Sequence, residues 1–130
     1  MCEQELLYIN LGFKYPALWH GTVLTTVEQL RRTGPEKMRR KRATLPMIAG
    51  GGLHCSYFKD PPSLSKKIAA FSHQELNTAD VNNESHLRHC FNQGLATFDG
   101  NLWLKRTQLD DYPGTFVNVM SRYPGFAAER

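Results

Sequence analysis

The first third of the chain alternates short apolar stretches with turn-forming residues, which predicts short strands followed by two helices. Residues 6–10 and 11–14 are apolar stretches that stop at a Tyr-Pro pair, and residues 21–25 are rich in β-branched side chains. We expect extended backbone in all three stretches. A threonine-capped helix over 27–32 is expected to end at a Gly-Pro pair. A second helix over 35–42 begins with proline in its first turn.

Alternating side chains over 53–58 predict a strand that begins directly after three glycines at 50–52. His54, Ser56 and Phe58 would share one face of this strand, which brings an imidazole and a hydroxyl together. The glycines permit positive φ and let a ligand or another backbone approach closely. The pattern is typical of an active-site wall, although a buried strand with one hydrogen-bonded histidine has the same spacing.

A helix after the Pro-Pro pair is predicted by residues at helical spacing, Leu64, Ile68, Phe71 and Glu75. Ser63 or Ser65 can cap its first turn. The Glu75 carboxylate would then lie on the apolar side of its helix. An isolated buried charge is unfavourable, so this carboxylate needs a partner or a catalytic task.

A further helix is predicted to open at Asn83 or Ser85 and to stop at Gly94. Its core face consists of Leu87, Cys90 and Phe91. Residues 86–90 (His-Leu-Arg-His-Cys) suggest zinc, but no second ligand pair has zinc-finger spacing, so an exposed helix face is favoured.

Strands and helices mix along the chain, which predicts an α/β fold with a mixed sheet and flanking helices. The 130 residues, 41% of them hydrophobic and 11% aromatic, suffice for one domain with a packed core. Residues 101–130 alternate aromatics with proline and glycine, and we expect an irregular cover that packs aromatic rings over this core.

The chain itself offers no membrane segment, because it has no run of about 18 apolar residues and its start lacks the order of a signal peptide. Its three cysteines have no paired spacing, so they define neither a disulfide framework nor a compartment.

The net charge of +4 is concentrated in residues 31–42, which hold seven lysines and arginines. Three interpretations stay open: a solvated helix face, a contact to the diphosphate of a nucleotide sugar, and a nucleic-acid surface. No aromatic residue lies among these basic residues, so we expect no nucleic-acid partner. A non-catalytic basic module that binds nucleic acid or another anionic partner is the alternative function.

Two segments, 51–58 (Gly-Gly-Leu-His-Cys-Ser-Tyr-Phe) and 66–75 (Lys-Lys-Ile-Ala-Ala-Phe-Ser-His-Gln-Glu), resemble the C-terminal half of glycosyltransferase family 17. Residues 19–22, 39–42 and 92–98 are also similar to this family, so the resemblance covers about 7–126. The family includes the β-1,4-mannosyl-glycoprotein β-1,4-N-acetylglucosaminyltransferase. The resemblance implies a partial GT-A-like domain in which the upstream nucleotide-binding half is absent.

The resemblance implies transfer of a sugar, GlcNAc by analogy, from a UDP-sugar donor to a glycan or glycoprotein acceptor such as the β-mannose of N-glycans. It also implies a divalent metal, manganese, in the full-length enzyme, and the Golgi membrane if the source is eukaryotic. Two departures concern sites: Leu53 stands where the family usually has tryptophan, and residues 1–50 contain no Asp-x-Asp metal motif. We therefore expect a chain that transfers no sugar alone.

By the same resemblance, His54 could be a late metal ligand or catalytic residue, Glu75 the base or an acceptor contact, and His73 a weaker alternative. His73 and Glu75 are two apart, so on a helix their side chains would point away from each other. We expect His54 and Glu75 to open onto a shared cleft. The expected substrate-binding residues are Trp19, Gly51, Gly52, Ser56 and Arg42.

Overall fold

The computed structural model describes residues 1–123 and 126 as a mixed α/β fold with a four-stranded mixed sheet and flanking helices. In the described part of the chain, the elements are β1 (Glu5–Tyr8), β2 (Phe13–Lys14), α1 (Val27–Thr33), α2 (Pro35–Arg40), β3 (Leu53–Ser56), α3 (Pro61–Ala70), α4 (Glu84–Gln93), β4 (Lys105–Arg106) and α5 (Gly114–Met120). The predicted α/β class with its mixed sheet is thus confirmed.

The sheet has the strand order β3-β1-β2-β4. β1 pairs with β2 in antiparallel fashion, with Leu7 opposite Lys14, and β2 pairs with β4, with Phe13 opposite Arg106. The first two predicted extended stretches therefore form a hairpin. Residues 21–25 form no strand, and that prediction was wrong: the Thr22 carbonyl accepts one hydrogen bond from the Cys2 amide, but no ladder follows.

The chain divides into two compact units, which we call the first unit (Met1–Leu6 and Ala17–His54) and the second unit (Leu7–Pro16 and Cys55–Arg130). In the first unit, α1 starts after Thr26, whose hydroxyl accepts the Gln29 amide at 3.2 Å, and it ends at Gly34 with φ 78°. Both signals were predicted. α2 stops earlier than predicted, at Arg40, and a 3₁₀ turn over Arg42–Thr44 follows.

In the second unit, α3 and α4 pack together around buried Leu64, Ile68 and Leu87. The N-cap of α3 is Asp60, whose carboxylate accepts the Ser63 amide at 2.7 Å, so the predicted serine cap was wrong. The Pro-Pro pair explains this, because proline fits the first turn of a helix, and the cap must precede it.

α4 follows the prediction more closely, with Asn83 as its N-cap and Gly94 in the left-handed conformation at its end. The tail differs from prediction, because α5 interrupts it and the Trp103 side chain is exposed rather than packed on the core. Tyr112 is buried as expected. Residues 124, 125 and 127–130 of the predicted cover lie outside the described residues, and a single domain over 1–130 stays a prediction.

Candidate functional site

The glycines before β3 form a turn that the chain's own N-terminal segment approaches closely. Gly50 and Gly52 have positive φ values of 62° and 104°. A Cβ on Gly51 would lie 2.7 Å from the Cβ of Cys2 and 3.1 Å from the carbonyl oxygen of Glu3, which accepts the Gly51 amide. The predicted close approach thus comes from another backbone, and ligand contact at Gly51 and Gly52 stays a prediction.

Two of the predicted site residues meet in the first unit: the imidazole of His54 stacks on the indole of Trp19, with ring centroids 5.0 Å apart and an interplanar angle of 22°. Trp19 is fixed by two backbone hydrogen bonds with Gln4, of 2.8 and 3.0 Å. Its indole also lies against Gly21, where a Cβ would collide with the ring. Glycine at position 21 therefore makes room for the stack.

Gln4 belongs to the same neighbourhood and was not predicted from the sequence. Its side chain is 9% exposed, and its Oε1 atom is buried with no hydrogen-bond partner among the described residues. A buried acceptor without a donor costs about 1–3 kcal/mol. In the sequence, Gln4 is simply a polar residue that precedes an apolar strand, and this pattern does not predict that its side chain is buried.

β3 ends at Ser56, and the predicted alternation stops there. Tyr57 adopts a positive φ of 59°, which turns the chain, so the prediction that Phe58 continues the strand face was wrong. The Ser56 carbonyl accepts the amide of Ile9, which itself has a φ of 73°. Ser56 is half-buried, and its role toward substrate stays a prediction.

Glu75 does not lie on the apolar side of a helix, contrary to prediction. α3 ends at Ala70, and Glu75 falls in a 3₁₀ turn over Gln74–Leu76, where its side chain is 67% exposed. Its carboxylate and His73 Nδ1 lie 2.8 Å apart, so these side chains meet rather than diverge. Backbone geometry explains both differences, because residues beyond the helix end no longer follow helical spacing.

The environment of Glu75 favours its ionised form. The pKa of its carboxyl is lowered, first by a hydrogen bond from its own backbone N–H and second by the contact with His73. An exposed carboxylate with a lowered pKa is a weak general base. His54 lies in the first unit and Glu75 in the second, and their shared cleft stays a prediction.

Arg42 lies half-buried in the 3₁₀ turn after α2 and makes no ion pair among the described residues. Two of its basic neighbours are paired within their helices, Arg32 with Glu28 at 3.4 Å and Arg40 with Glu36 at 2.9 Å. Most of the basic cluster is exposed, as expected for a solvated face. Contact of Arg42 with a diphosphate stays a prediction.

The second unit contains a cluster of tyrosines that the sequence did not suggest. The Tyr15 hydroxyl donates to the Asp99 carboxylate at 2.9 Å, the Tyr8 and Tyr57 rings are 4.8 Å apart, and the Lys67 ammonium lies 4.5 Å from the centre of the Tyr57 ring. Burial raises the pKa of Tyr8 and lowers that of Lys67. These groups come from distant segments, which local patterns cannot join.

His54 was the one metal ligand suggested by the resemblance, and metal binding by it stays a prediction. Among the described residues, no group of three or more His, Cys, Asp or Glu side chains could hold a metal ion. His86 Nε2 instead lies 3.1 Å from the Thr97 carbonyl oxygen and 3.4 Å from Cys90 Sγ. Manganese held by His54 would need further ligands from outside these residues.

No described helix is both long and apolar enough to span a bilayer. Compared with protein-family models, curated proteins and solved structures, the chain has no match.

Proposed function

We propose that this chain is the C-terminal portion of an N-acetylglucosaminyltransferase-like enzyme related to glycosyltransferase family 17. The enzyme would transfer GlcNAc from a UDP-sugar to a glycan or glycoprotein acceptor such as the β-mannose of N-glycans, in the Golgi membrane of a eukaryotic cell. The observation that carries this proposal is the stack between Trp19 and His54, which joins two residues implied by the resemblance.

The stack offers chemistry suited to a sugar. An aromatic ring provides an apolar face for the C–H groups of a pyranose, while polar groups at its edge fix orientation by hydrogen bonds. The imidazole of His54 can accept a hydroxyl proton or donate a hydrogen bond.

The reaction needs a base that takes the acceptor proton and a cationic group that stabilises the leaving diphosphate. His54 is the favoured base or positioning group, because Glu75 is exposed and its pKa is lowered. Arg42 is assigned to the diphosphate, since a guanidinium fork matches phosphate oxygens. Manganese would assist the same leaving group, but the described residues alone do not hold it.

Exposed apolar side chains in the first unit support the idea of a partial domain. Leu18, Met47 and Ile48 are each at least 44% exposed. Apolar surface of this kind is expected where a further part of a catalytic domain packs.

Tryptophan fluorescence tests the sugar contact, because the chain has only two tryptophans. In a Trp103→Phe background, which leaves Trp19 as the reporter, we expect an N-glycan core ending in β-mannose to change the emission. His54→Ala should weaken the response about tenfold or more, the scale of a buried polar contact. His89→Ala, an exposed histidine on α4, is the matched control. Equal responses from His54→Ala and the control would contradict the assignment.

Turnover tests the proposal that the chain is a portion of the enzyme. Residues 1–130 alone should transfer no GlcNAc from UDP-GlcNAc, because electrostatic stabilisation of the leaving group is usually the largest catalytic contribution and the nucleotide-binding half of the proposed enzyme would lie outside these residues. Transfer above background by the purified chain would overturn this part of the proposal.

A further inference from the structure

A groove lies between α1, α2 and the 3₁₀ turn of the first unit. It has a volume of about 400 Å³ and is lined by the apolar side chains of Leu24, Met38 and Leu45, by Lys41, and otherwise by threonines and one glutamine. We call it the α1–α2 groove. None of the residues assigned to sugar transfer lines it, so the groove is unexplained by the proposed function.

The apolar side chains around this groove are unusually exposed. Leu24 is 73% exposed and Val27 is 64% exposed, and α1 buries no residue at all. Adjacent exposed apolar side chains next to a concave surface are typical of an interaction site. The groove therefore has a surface that a partner can cover.

Most basic residues in and between α1, α2 and the 3₁₀ turn have no ion-pair partner among the described residues, and one of them, Lys41, lines the groove. Of the seven basic residues in 31–42, two form the ion pairs within α1 and α2 described above. The other five make no ion pair with any described residue; they are Arg31, Lys37, Arg39, Lys41 and Arg42. An apolar groove that has the unpaired Lys41 in its lining, and further unpaired cations on the elements that form it, is complementary to a ligand that is apolar on one side and anionic on the other.

We propose that the α1–α2 groove binds an acidic amphipathic helix of a protein partner. Its apolar side chains would enter the groove between Leu24 and Leu45. Its Glu or Asp side chains would pair with Lys41 and with the unpaired Arg31, Lys37 and Arg39. This combines the helix-in-groove mode of recognition with electrostatic steering. Binding of this helix does not depend on the proposed glycosyltransferase activity.

Two other anionic surfaces fit the observations less well. Residues 20–52 contain no Trp, Phe or Tyr, so the surface lacks the aromatic platforms that hold single-stranded nucleic acid. Membrane-surface helices use protruding apolar residues, with Trp or Phe among them, at the interface. Here the apolar residues line a concavity, which favours an inserted side chain over a flat bilayer.

The test uses the full chain and a fluorescent 14-residue peptide with Leu at every third or fourth position and Glu elsewhere, titrated by anisotropy at low and physiological salt. We expect saturable binding that weakens with salt. Lys41→Glu and Leu24→Asn should each weaken it about tenfold, because one removes a charge partner and the other an apolar contact. Lys66→Glu on α3 and Leu18→Asn, both exposed, are the matched controls and should bind like the parent.

Circular dichroism establishes that each variant is folded. Equal binding of a peptide in which every Glu is replaced by Lys would overturn the proposal, as would unchanged binding by Lys41→Glu. Tighter binding of RNA, duplex DNA or phosphatidylserine vesicles than of the acidic peptide would also overturn it, in favour of a nucleic-acid or membrane surface.

Discussion

The two units of the chain differ in how their helices are stabilised. In the second unit, the 10-residue helices α3 and α4 bury Leu64, Ile68 and Leu87 completely. In the first unit, the 7-residue α1 buries no residue, and the 6-residue α2 buries only Met38. Six of the nine large exposed hydrophobic residues described belong to the first unit.

The difference shows that helix formation and helix packing are separate problems. Isolated helices shorter than about 12–15 residues are marginal in water, so most helical stability in proteins comes from a packed apolar face. α3 and α4 have that face in contact with each other. α1 and α2 also contact each other, but that contact buries only Met38. The Thr26 cap and the exposed ion pairs at Arg32 and Arg40 add only small contributions.

The largest expected effect compares one substitution in two helices. Leu87→Ala in α4 should lower the free energy of unfolding by about 2–5 kcal/mol, because it opens a cavity in a core. Leu30→Ala in α1 should cost less than about 1 kcal/mol, because its side chain is already partly exposed. Urea titration followed by circular dichroism measures both. Similar losses for the two variants would mean that α1 is packed as firmly as α4.

A smaller effect is expected from the caps. Asn83→Ala removes the acceptor for the His86 amide and should destabilise the second unit by about 1 kcal/mol. Thr26→Ala removes the acceptor for the Gln29 amide, and we expect it to speed amide exchange in α1 while leaving exchange in α3 and α4 unchanged. Hydrogen exchange by mass spectrometry separates these results. Faster exchange throughout the chain in Thr26→Ala would show that the units unfold together.

The smallest expected effect concerns the exposed turn after α3. The hydrogen bonds to the Glu75 carboxylate lower its pKa in the folded state. Their contribution to the free energy of unfolding is therefore present above the pKa of the unfolded chain. It is lost as the pH falls through the pKa of the folded protein. His73→Ala should raise the pKa of Glu75 toward its ordinary value. Carbon-detected NMR titration measures this shift, and an unchanged pKa would mean that the backbone N–H alone sets it.

Local signals in the sequence predicted much of the fold. The caps at Thr26 and Gly94 were identified correctly, and Asn83 was one of two predicted N-caps of α4, because each cap depends on residues one turn away. The end of α3 was missed: no glycine or proline marks it, and Phe71 leaves the helix to stack on Phe98, with ring centroids 5.9 Å apart. Helical periodicity contains no information about such a distant contact.

The sequence identified two residues of the candidate site but not how they are arranged. His54 and Trp19 were selected by strand alternation and by resemblance, but their stacking joins residues 35 positions apart in sequence and depends on the space at Gly21. The neighbouring Gln4 and the tyrosine cluster around Tyr57 had no local signal. Their positions are set by strand pairing and by two positive φ values, at Ile9 and Tyr57.

Two different constraints require glycine in the turn before β3: the backbone conformation at one position and the available volume at another. At Gly52 a φ of 104° disfavours an L-amino acid even though the nearest atom to an added Cβ would be 3.9 Å away. At Gly51 the obstacle is the volume of the Cys2 Cβ atom and of the backbone of Cys2 and Glu3. A chemically synthesised chain with a D-amino acid at Gly52 would relieve the first constraint, because mirror-image residues prefer positive φ, but not the second. Among the encoded amino acids, the turn needs an achiral residue at one position and the smallest residue at the other, and glycine is the only one that is both.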